Sequence, residues 1–83
     1  MADPTPADIE RFIASGIACE HLAVEGDGRH FFATIVSSDF EGASRIARHQ
    51  RVYGALGERM REQVHALSMK TLTPEEWAQT GGT

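Results

Sequence analysis

Four histidines and one cysteine are the side chains of this sequence that can bind a soft or borderline metal ion. His65 begins the predicted third strand, and His30 follows the turn Gly26-Asp27-Gly28 and begins the second. The two rings meet at one end of a sheet only if those strands run in the same sense or the loop folds back. Because two imidazoles do not complete a tetrahedral site, they either titrate at the surface or form an open half-site that needs a partner's ligands.

The remaining candidates are weaker. His49 lies between Ile46 and Tyr53 on the apolar face of a predicted helix, which favours a hydrogen-bonded, mostly buried ring over a metal ligand. His21 is expected to face solvent on the first strand. Cys19, between the first helix and the first strand, is expected to be a small buried hydrophobic residue and is kept as a reserve ligand.

Basic side chains are concentrated between residues 42 and 61, where five arginines and one glutamate give a local charge of +4 in a chain of net charge −4. A basic helix followed by a turn and a second short helix suits a DNA-binding surface. It equally suits a docking face for an acidic or thiolate-bearing protein, or a solvated helix flank. The arginines are Arg45, Arg48, Arg51, Arg59 and Arg61.

Enzyme signatures are missing from the sequence. It contains no phosphate-binding G-x-x-x-x-G-K-[ST], no G-x-G-x-x-G, no G-x-S-x-G, no C-x-x-C and no H-E-x-x-H. A chain of this length also rarely encloses a substrate pocket of several hundred Å³. We therefore expect a protein that is not an enzyme.

The elements that must position these side chains follow from the spacing of apolar, capping and turn residues. They predict an α+β fold in the order α-β-β-α-α-β-α, with helices packed on a three-stranded sheet. Thr5 caps the first helix, which ends near Gly16, and Thr73 caps the last. The predicted strands are residues 21–25, 31–36 and 65–72, and the middle helices contain residues 46–56 and 58–63.

Composition indicates one small globular domain of 83 residues, 41% hydrophobic and 24% charged. We expect a single domain over residues 1–83, with an ordered core of about 5–79 and a frayed tail at 80–83. Cys19 has no partner for an internal disulfide. The first residues lack the pattern of a signal peptide, and no apolar run approaches the roughly 18 residues of a membrane span. These features predict a cytoplasmic protein that does not contact membranes.

Several segments resemble the BolA family, in that family's order, from about Ile9 to Trp77. The most specific is the uninterrupted stretch HALSMKTLTPEEW at residues 65–77. The turn 26–28 followed by His30-Phe31, together with Gln50, is most similar to the IbaG-type bacterial subgroup. The other matching segments are Ile35-Val36-Ser37, Phe40-Glu41-Gly42, Arg48-His49 and Val52-Tyr53.

The resemblance implies a fold similar to class II KH domains and a partnership with monothiol glutaredoxins in iron–sulfur cluster trafficking and iron homeostasis. In that family a [2Fe–2S] cluster is shared: a glutaredoxin cysteine and glutathione hold one iron, and the BolA-type protein supplies ligands to the other. His65 matches the family's C-terminal histidine ligand. The hairpin loop has no cysteine here, so His30 is the closest candidate for the second ligand, with Cys19 in reserve. The isolated chain is expected to hold no cluster and to be a monomer or a weak homodimer.

Two alternatives accompany this interpretation. Some BolA relatives are described as DNA-binding transcriptional regulators, for which the contact surface would run from Phe40 to Arg51, with Arg45, Arg48 and Arg51 on phosphates. The overall acidity and Gln50, at a position often basic in relatives, argue against it. The other alternative is a metal-free heterodimer, in which the same basic face docks on glutaredoxin and the histidines stay unligated.

Overall fold

The computed structural model describes residues 5–27, 29–60 and 66–80. It shows the predicted α+β architecture, three helices and a three-stranded sheet, in the predicted order. The elements are α1 (Pro6–Gly16), β1 (His21–Gly26), β2 (Phe31–Val36), a 3₁₀ turn (Ser38–Phe40), α2 (Arg45–Leu56), a second 3₁₀ turn (Gly57–Met60), β3 (Leu67–Leu72) and α3 (Pro74–Gln79).

Two boundaries differ from the prediction. The helix expected at 58–63 is the 3₁₀ turn Gly57–Met60, and residues 61–63 lie outside the described residues. The third strand begins at Leu67 and not at residue 65, because Ala66 still belongs to a 3₁₀ turn. Within the described part of the chain, no helix is long and apolar enough to cross a membrane.

Threonine caps begin the first and last helices, as predicted. The Thr5 hydroxyl accepts a hydrogen bond from the Asp8 N–H at 3.1 Å, and the Asp8 carboxylate accepts one from the Thr5 N–H at 3.0 Å. Thr73 and Glu76 form the same reciprocal pair, at 3.2 and 2.8 Å. Each pair satisfies two N–H groups that a helix start leaves without partners, which fixes where α1 and α3 begin.

Strand direction decides which residues share an end of the sheet. The order is β1-β2-β3; β1 is antiparallel to β2, and β2 is parallel to β3. Gly26 at the end of β1 pairs with Phe31, and Phe31 pairs with Leu67 at the start of β3. The second and third strands therefore begin at the same end of the sheet.

The hydrophobic core lies between the sheet and the helices α1 and α2. Alternate residues of β2 point into it, and α1 contributes two isoleucines one turn apart. Phe40 from the loop after β2 closes the core and is fully buried. The main core residues are Ile9, Ile13, Ile17, Val24, Phe31, Ala33, Ile35, Phe40, Val52, Leu56 and Leu67.

The apolar face predicted for α2 is only partly correct. Val52 and Leu56 are buried, but Ile46 is 71% exposed and Tyr53 is 41% exposed. At 3.6 residues per turn, these two residues lie about 100–120° around the helix from Val52, outside the face that meets the sheet. His49, which does share the face of Leu56, is half-buried and not enclosed.

Helices α1 and α2 pack tightly at Gly16. A Cβ atom at this position would lie 2.7 Å from the Ala55 Cβ and 3.1 Å from its Cα. A Cβ at Gly54, within α2, would meet no atom within 4 Å. The two glycines therefore differ in the space around them: a Cβ atom fits at Gly54 and does not fit at Gly16.

We expect Gly16→Ala to lower the free energy of unfolding by about 1–3 kcal/mol, because the helices must move apart. Gly54→Ala should raise it by about 0.5–1 kcal/mol, because alanine has the higher helix propensity. Urea denaturation midpoints measure both effects. Equal effects of the two substitutions would contradict the tight contact at Gly16.

Candidate functional site

The loop between β1 and β2 is organised by Asp27. Its carboxylate Oδ1 accepts hydrogen bonds from the backbone N–H groups of Arg29 and His30, both at 2.9 Å. The Asp27 N–H donates to the His30 carbonyl at 3.3 Å. The hydrogen bonds from His30 and Arg29 hold the pKa of the Asp27 carboxyl below its usual value. Asp27 therefore stays ionised and fixes the backbone that carries His30.

Gly26 allows this loop to close tightly. A Cβ at Gly26 would lie 2.6 Å from the His30 carbonyl oxygen and 2.6 Å from Cδ1 of Phe31. The turn signal in the sequence predicted the hairpin, but the sequence gives no sign of this close approach. Gly26 and Asp27, which the sequence identifies only as part of a turn, are thus positioning residues for His30.

His30 is exposed beside a cavity of about 400 Å³ at this end of the sheet. The cavity extends from the β1–β2 loop to β3, because Ser68 lines its far side. The lining residues are Glu25, Gly26, Asp27, His30, Phe31, Phe32 and Ser68. An imidazole in this position is accessible to a second protein.

The second predicted ligand, His65, lies outside the described residues, so its pairing with His30 stays a prediction. Among residues 5–27, 29–60 and 66–80, no group of three or more His, Cys, Asp or Glu side chains is placed to hold a metal ion. What the structure does establish is that His30 precedes Phe31, the residue that pairs with the start of β3.

Cys19 does not fit its predicted reserve role beside His30. It precedes β1, whose first residue His21 pairs with Val36 at the end of β2, whereas His30 lies at the start of β2. The length of β2, about 17 Å at 3.4 Å per residue, separates the two ends. The thiol is half-buried and donates to the Ile17 carbonyl at 3.4 Å. Burial raises the pKa of Cys19, and the negative charge of Asp39 raises it further. A raised pKa disfavours the thiolate, which is the form that binds a metal.

His21 is also placed differently from the prediction. Its ring stacks on Trp77 of α3, with ring centroids 4.5 Å apart and planes inclined by 19°. The side chain is half-buried and does not project freely into solvent. Trp77 thus anchors α3 to β1, at the end of the sheet opposite to His30.

Arg48, predicted to contact phosphates or a partner, is used inside the fold. Its Nε donates to the Ala43 carbonyl at 2.9 Å, and Nη1 donates to the Thr71 carbonyl at 3.1 Å and to Glu76 Oε1 at 2.8 Å. The side chain is only 14% exposed. The structure corrects the prediction: Arg48 joins α2, β3 and α3 and presents little of its charge to a partner.

The other predicted docking residues divide into buried and exposed. Phe40 has no exposed surface and belongs to the core, so it is not available for docking. Arg45 is exposed, as is Arg51, whose Nη1 donates to the Asp39 carbonyl at 2.5 Å. The side chain of Arg59 and the whole of Arg61 lie outside what the structure describes. Helix α2 therefore presents fewer exposed arginine side chains than its sequence contains.

The ion pair between Arg48 and Glu76 makes stability depend on pH. Hydrogen bonds from Arg48 and from the Thr73 backbone hold the pKa of Glu76 below its ordinary value of 4.5. Its stabilising contribution is therefore present above pH 4.5 and is lost as the pH falls through the lower pKa of the folded state.

We expect Glu76→Gln to be less stable than wild type at neutral pH, with a difference that shrinks as the pH falls below about 4.5. Urea midpoints measured across this range test it. Glu75→Gln, which removes a charge from the same turn but leaves the Arg48 pair intact, is the control. A wild-type advantage over Glu76→Gln that is constant down to low pH would contradict the assignment.

The fold of this small α+β domain is shared by solved structures. A bolA protein homologue from Coxiella burnetii superposes with a TM-score of 0.78 at 43% identity, covering 89% of this chain and 96% of that chain. The BolA domain of SufE1 from Arabidopsis thaliana gives 0.74 at 29% identity, covering 86% and 93%. A family model described as BolA-like protein matches residues 9–76, and the chain belongs to the BolA family.

The names of two relatives describe different roles. The "Acid stress protein IbaG" of Escherichia coli is 38% identical over 72 residues, covering 86% of each chain. The "DNA-binding transcriptional regulator BolA" of Haemophilus influenzae is 42% identical over 57 residues, which is 69% of this chain and 55% of the relative. The chain therefore spans little more than half of the second relative. Both names describe a regulator or a stress protein and not an enzyme.

Proposed function

We propose that this chain is a BolA-type partner of a monothiol glutaredoxin in the trafficking of iron–sulfur clusters. In this proposal His30 and His65 bind one iron of a [2Fe–2S] cluster, and the glutaredoxin cysteine and glutathione bind the other. The observation that supports it most is the parallel, in-register pairing of β2 with β3. It brings the strand that follows His30 and the strand that follows His65 to one end of the sheet.

The register limits how far apart in space the backbone positions of the two histidines can be. Phe31 and Leu67 are paired neighbours, and strands in a sheet lie about 4.8 Å apart. His30 is one residue before Phe31, and His65 is two residues before Leu67. Because two peptide units span at most about 7 Å, chain length alone keeps His65 within reach of this end of the sheet. Cys19 has no comparable connection to it.

The residues present fit an iron ligand set completed by another molecule. The His30 side chain is exposed, and Asp27 and Gly26 fix the backbone that carries it. Neutral imidazole is an established ligand for iron, including the iron of [2Fe–2S] centres that have two histidines. A bound cluster would supply the redox and transfer chemistry, while this chain supplies nitrogen donors and a docking surface beside the cavity.

We expect the chain, mixed with a monothiol glutaredoxin, glutathione, iron and sulfide, to form a coloured heterodimer whose visible absorption differs from that of the glutaredoxin homodimer. His65→Ala should abolish this difference, and His30→Ala should shift or weaken it, because each removes one nitrogen donor. His21→Ala, at the opposite end of the sheet, is the matched control and should keep the heterodimer spectrum.

Chromatography of the same mixtures separates ligation from docking. A heterodimer that forms with both variants but keeps the wild-type spectrum would remove the ligand assignment and support metal-free docking. Absence of any heterodimer with wild type would overturn the partnership itself. Circular dichroism of each variant shows that a lost spectrum does not reflect a lost fold.

DNA binding is the second candidate, favoured by the name of the Haemophilus relative and by the exposure of Arg45 and Arg51. The structure weakens its basis, because Arg48 is turned inward and Phe40 is buried. Few phosphate contacts remain, and an interface with few phosphate contacts has low affinity at physiological salt.

We expect no retention of duplex DNA at about 150 mM salt, because screening is already strong there. A salt titration of binding, read by mobility shift, measures this. Retention at that salt concentration that is lost in Arg45→Ala would instead support a direct DNA-binding role.

A further inference from the structure

A groove runs between α2 and the outer edge of β3, away from the His30 hairpin. In the described sheet β3 is an edge strand, paired with β2 on one side only. A cavity of about 280 Å³ lies along this edge, lined by Arg45 and His49 of α2 and by residues 69–72 of β3. A second cavity of about 350 Å³ continues it toward α3 and shares Arg45, Thr71 and Leu72.

The backbone of β3 presents hydrogen-bonding groups to this groove. The Leu72 carbonyl accepts from the Ser37 N–H at 3.0 Å and so points toward β2. Because successive residues of a strand point their backbone groups to opposite sides, those of Thr71 and Met69 point outward. The Thr71 carbonyl confirms this direction, since it accepts from Arg48 at 3.1 Å. The outward N–H and C=O of Met69 are a template for an added strand.

The groove is cationic in an acidic chain. Arg45 on α2 and Lys70 on β3 are exposed, and both line it together with His49. Among the described residues, no acidic side chain lines the cavity of about 280 Å³. The one carboxylate of the second, Glu76, is paired with Arg48. The net charge of the chain is −4, so this surface is opposite in sign to the molecule that carries it.

We propose that this groove binds an extended acidic segment of a partner protein, which adds as a strand to the edge of β3. Its carboxylates pair with Arg45 and Lys70. A peptide fits these groups better than a nucleic acid does, because a peptide backbone offers both a donor and an acceptor to Met69, whereas phosphates offer acceptors only. The site is separate from the His30 hairpin and does not depend on an iron–sulfur cluster.

The test uses the full chain, labelled with ¹⁵N, and a synthetic peptide of about eight alternating Glu and Val residues with blocked ends, long enough to span one strand. We expect amide shifts confined to residues 67–72 of β3 and 45–49 of α2, which weaken with added salt. Two comparison peptides separate the contributions. One carries N-methyl groups on alternate amides and cannot pair with the strand edge; the other has Lys in place of Glu. Neither should bind.

Charge reversal locates the contacts. The double variant Arg45→Glu with Lys70→Glu should bind the acidic peptide about tenfold more weakly. The double variant Arg11→Glu with Arg29→Glu changes the net charge equally at exposed positions outside the groove, and it should bind as wild type does.

Three results would overturn the proposal. Equal losses in the two double variants would mean non-specific attraction to charge. Equal binding of the N-methylated peptide would mean that the strand edge takes no part. Duplex DNA that displaces the peptide and shifts the same amides at physiological salt would identify the groove as a nucleic-acid surface.

Discussion

The parallel pairing of β2 with β3 is the constraint on which the rest of the molecule depends. Parallel strands cannot be joined by a tight turn, so the chain between them must cross the sheet, and α2 makes that crossing. The crossing places α2 on the core face beside α1 and leaves β3 at the edge of the sheet. The register also places the starts of both strands beside the end of β1. One pairing therefore determines the histidine-bearing end and the open edge of the sheet.

Near the end of β3, Arg48 connects the crossover helix α2 to β3 and α3. Its guanidinium joins the loop before α2, the Thr71 carbonyl and the Glu76 carboxylate, while the Glu76 carboxylate also caps α3 through the Thr73 N–H. Four hydrogen bonds in one cluster thus satisfy polar groups of α2, of the loop before it, of β3 and of the α3 cap. Its cost is that the cation is no longer available to a partner. An arginine count in a helix thus overestimates the charge that the helix presents.

The sequence predicted most of the fold because its signals are local. Thr5 and Thr73 begin their helices with capping boxes, and the Gly26–Asp27 turn separates two strands of suitable length. What it could not predict depends on pairing between distant segments. The direction of β3 relative to β2 has no local signature, and the inward turn of Arg48 depends on Glu76, 28 residues away. Helical spacing alone placed Ile46 and Tyr53 on the buried face, whereas packing against the sheet selected the face of Val52 and Leu56.

The distribution of charge over the described residues separates two surfaces with different chemistry. At the start of the sheet, Glu25 and Asp27 lie in the lining of the cavity beside His30, so this end combines carboxylates with an imidazole. Along the edge of β3, Arg45 and Lys70 present positive charge beside strand backbone. A partner that binds through a metal at the cavity beside His30 does not need a charge complementary to the groove along β3. The two surfaces share no lining residue, so the groups that a metal-binding partner would use at the first are not those that an acidic strand would use at the second.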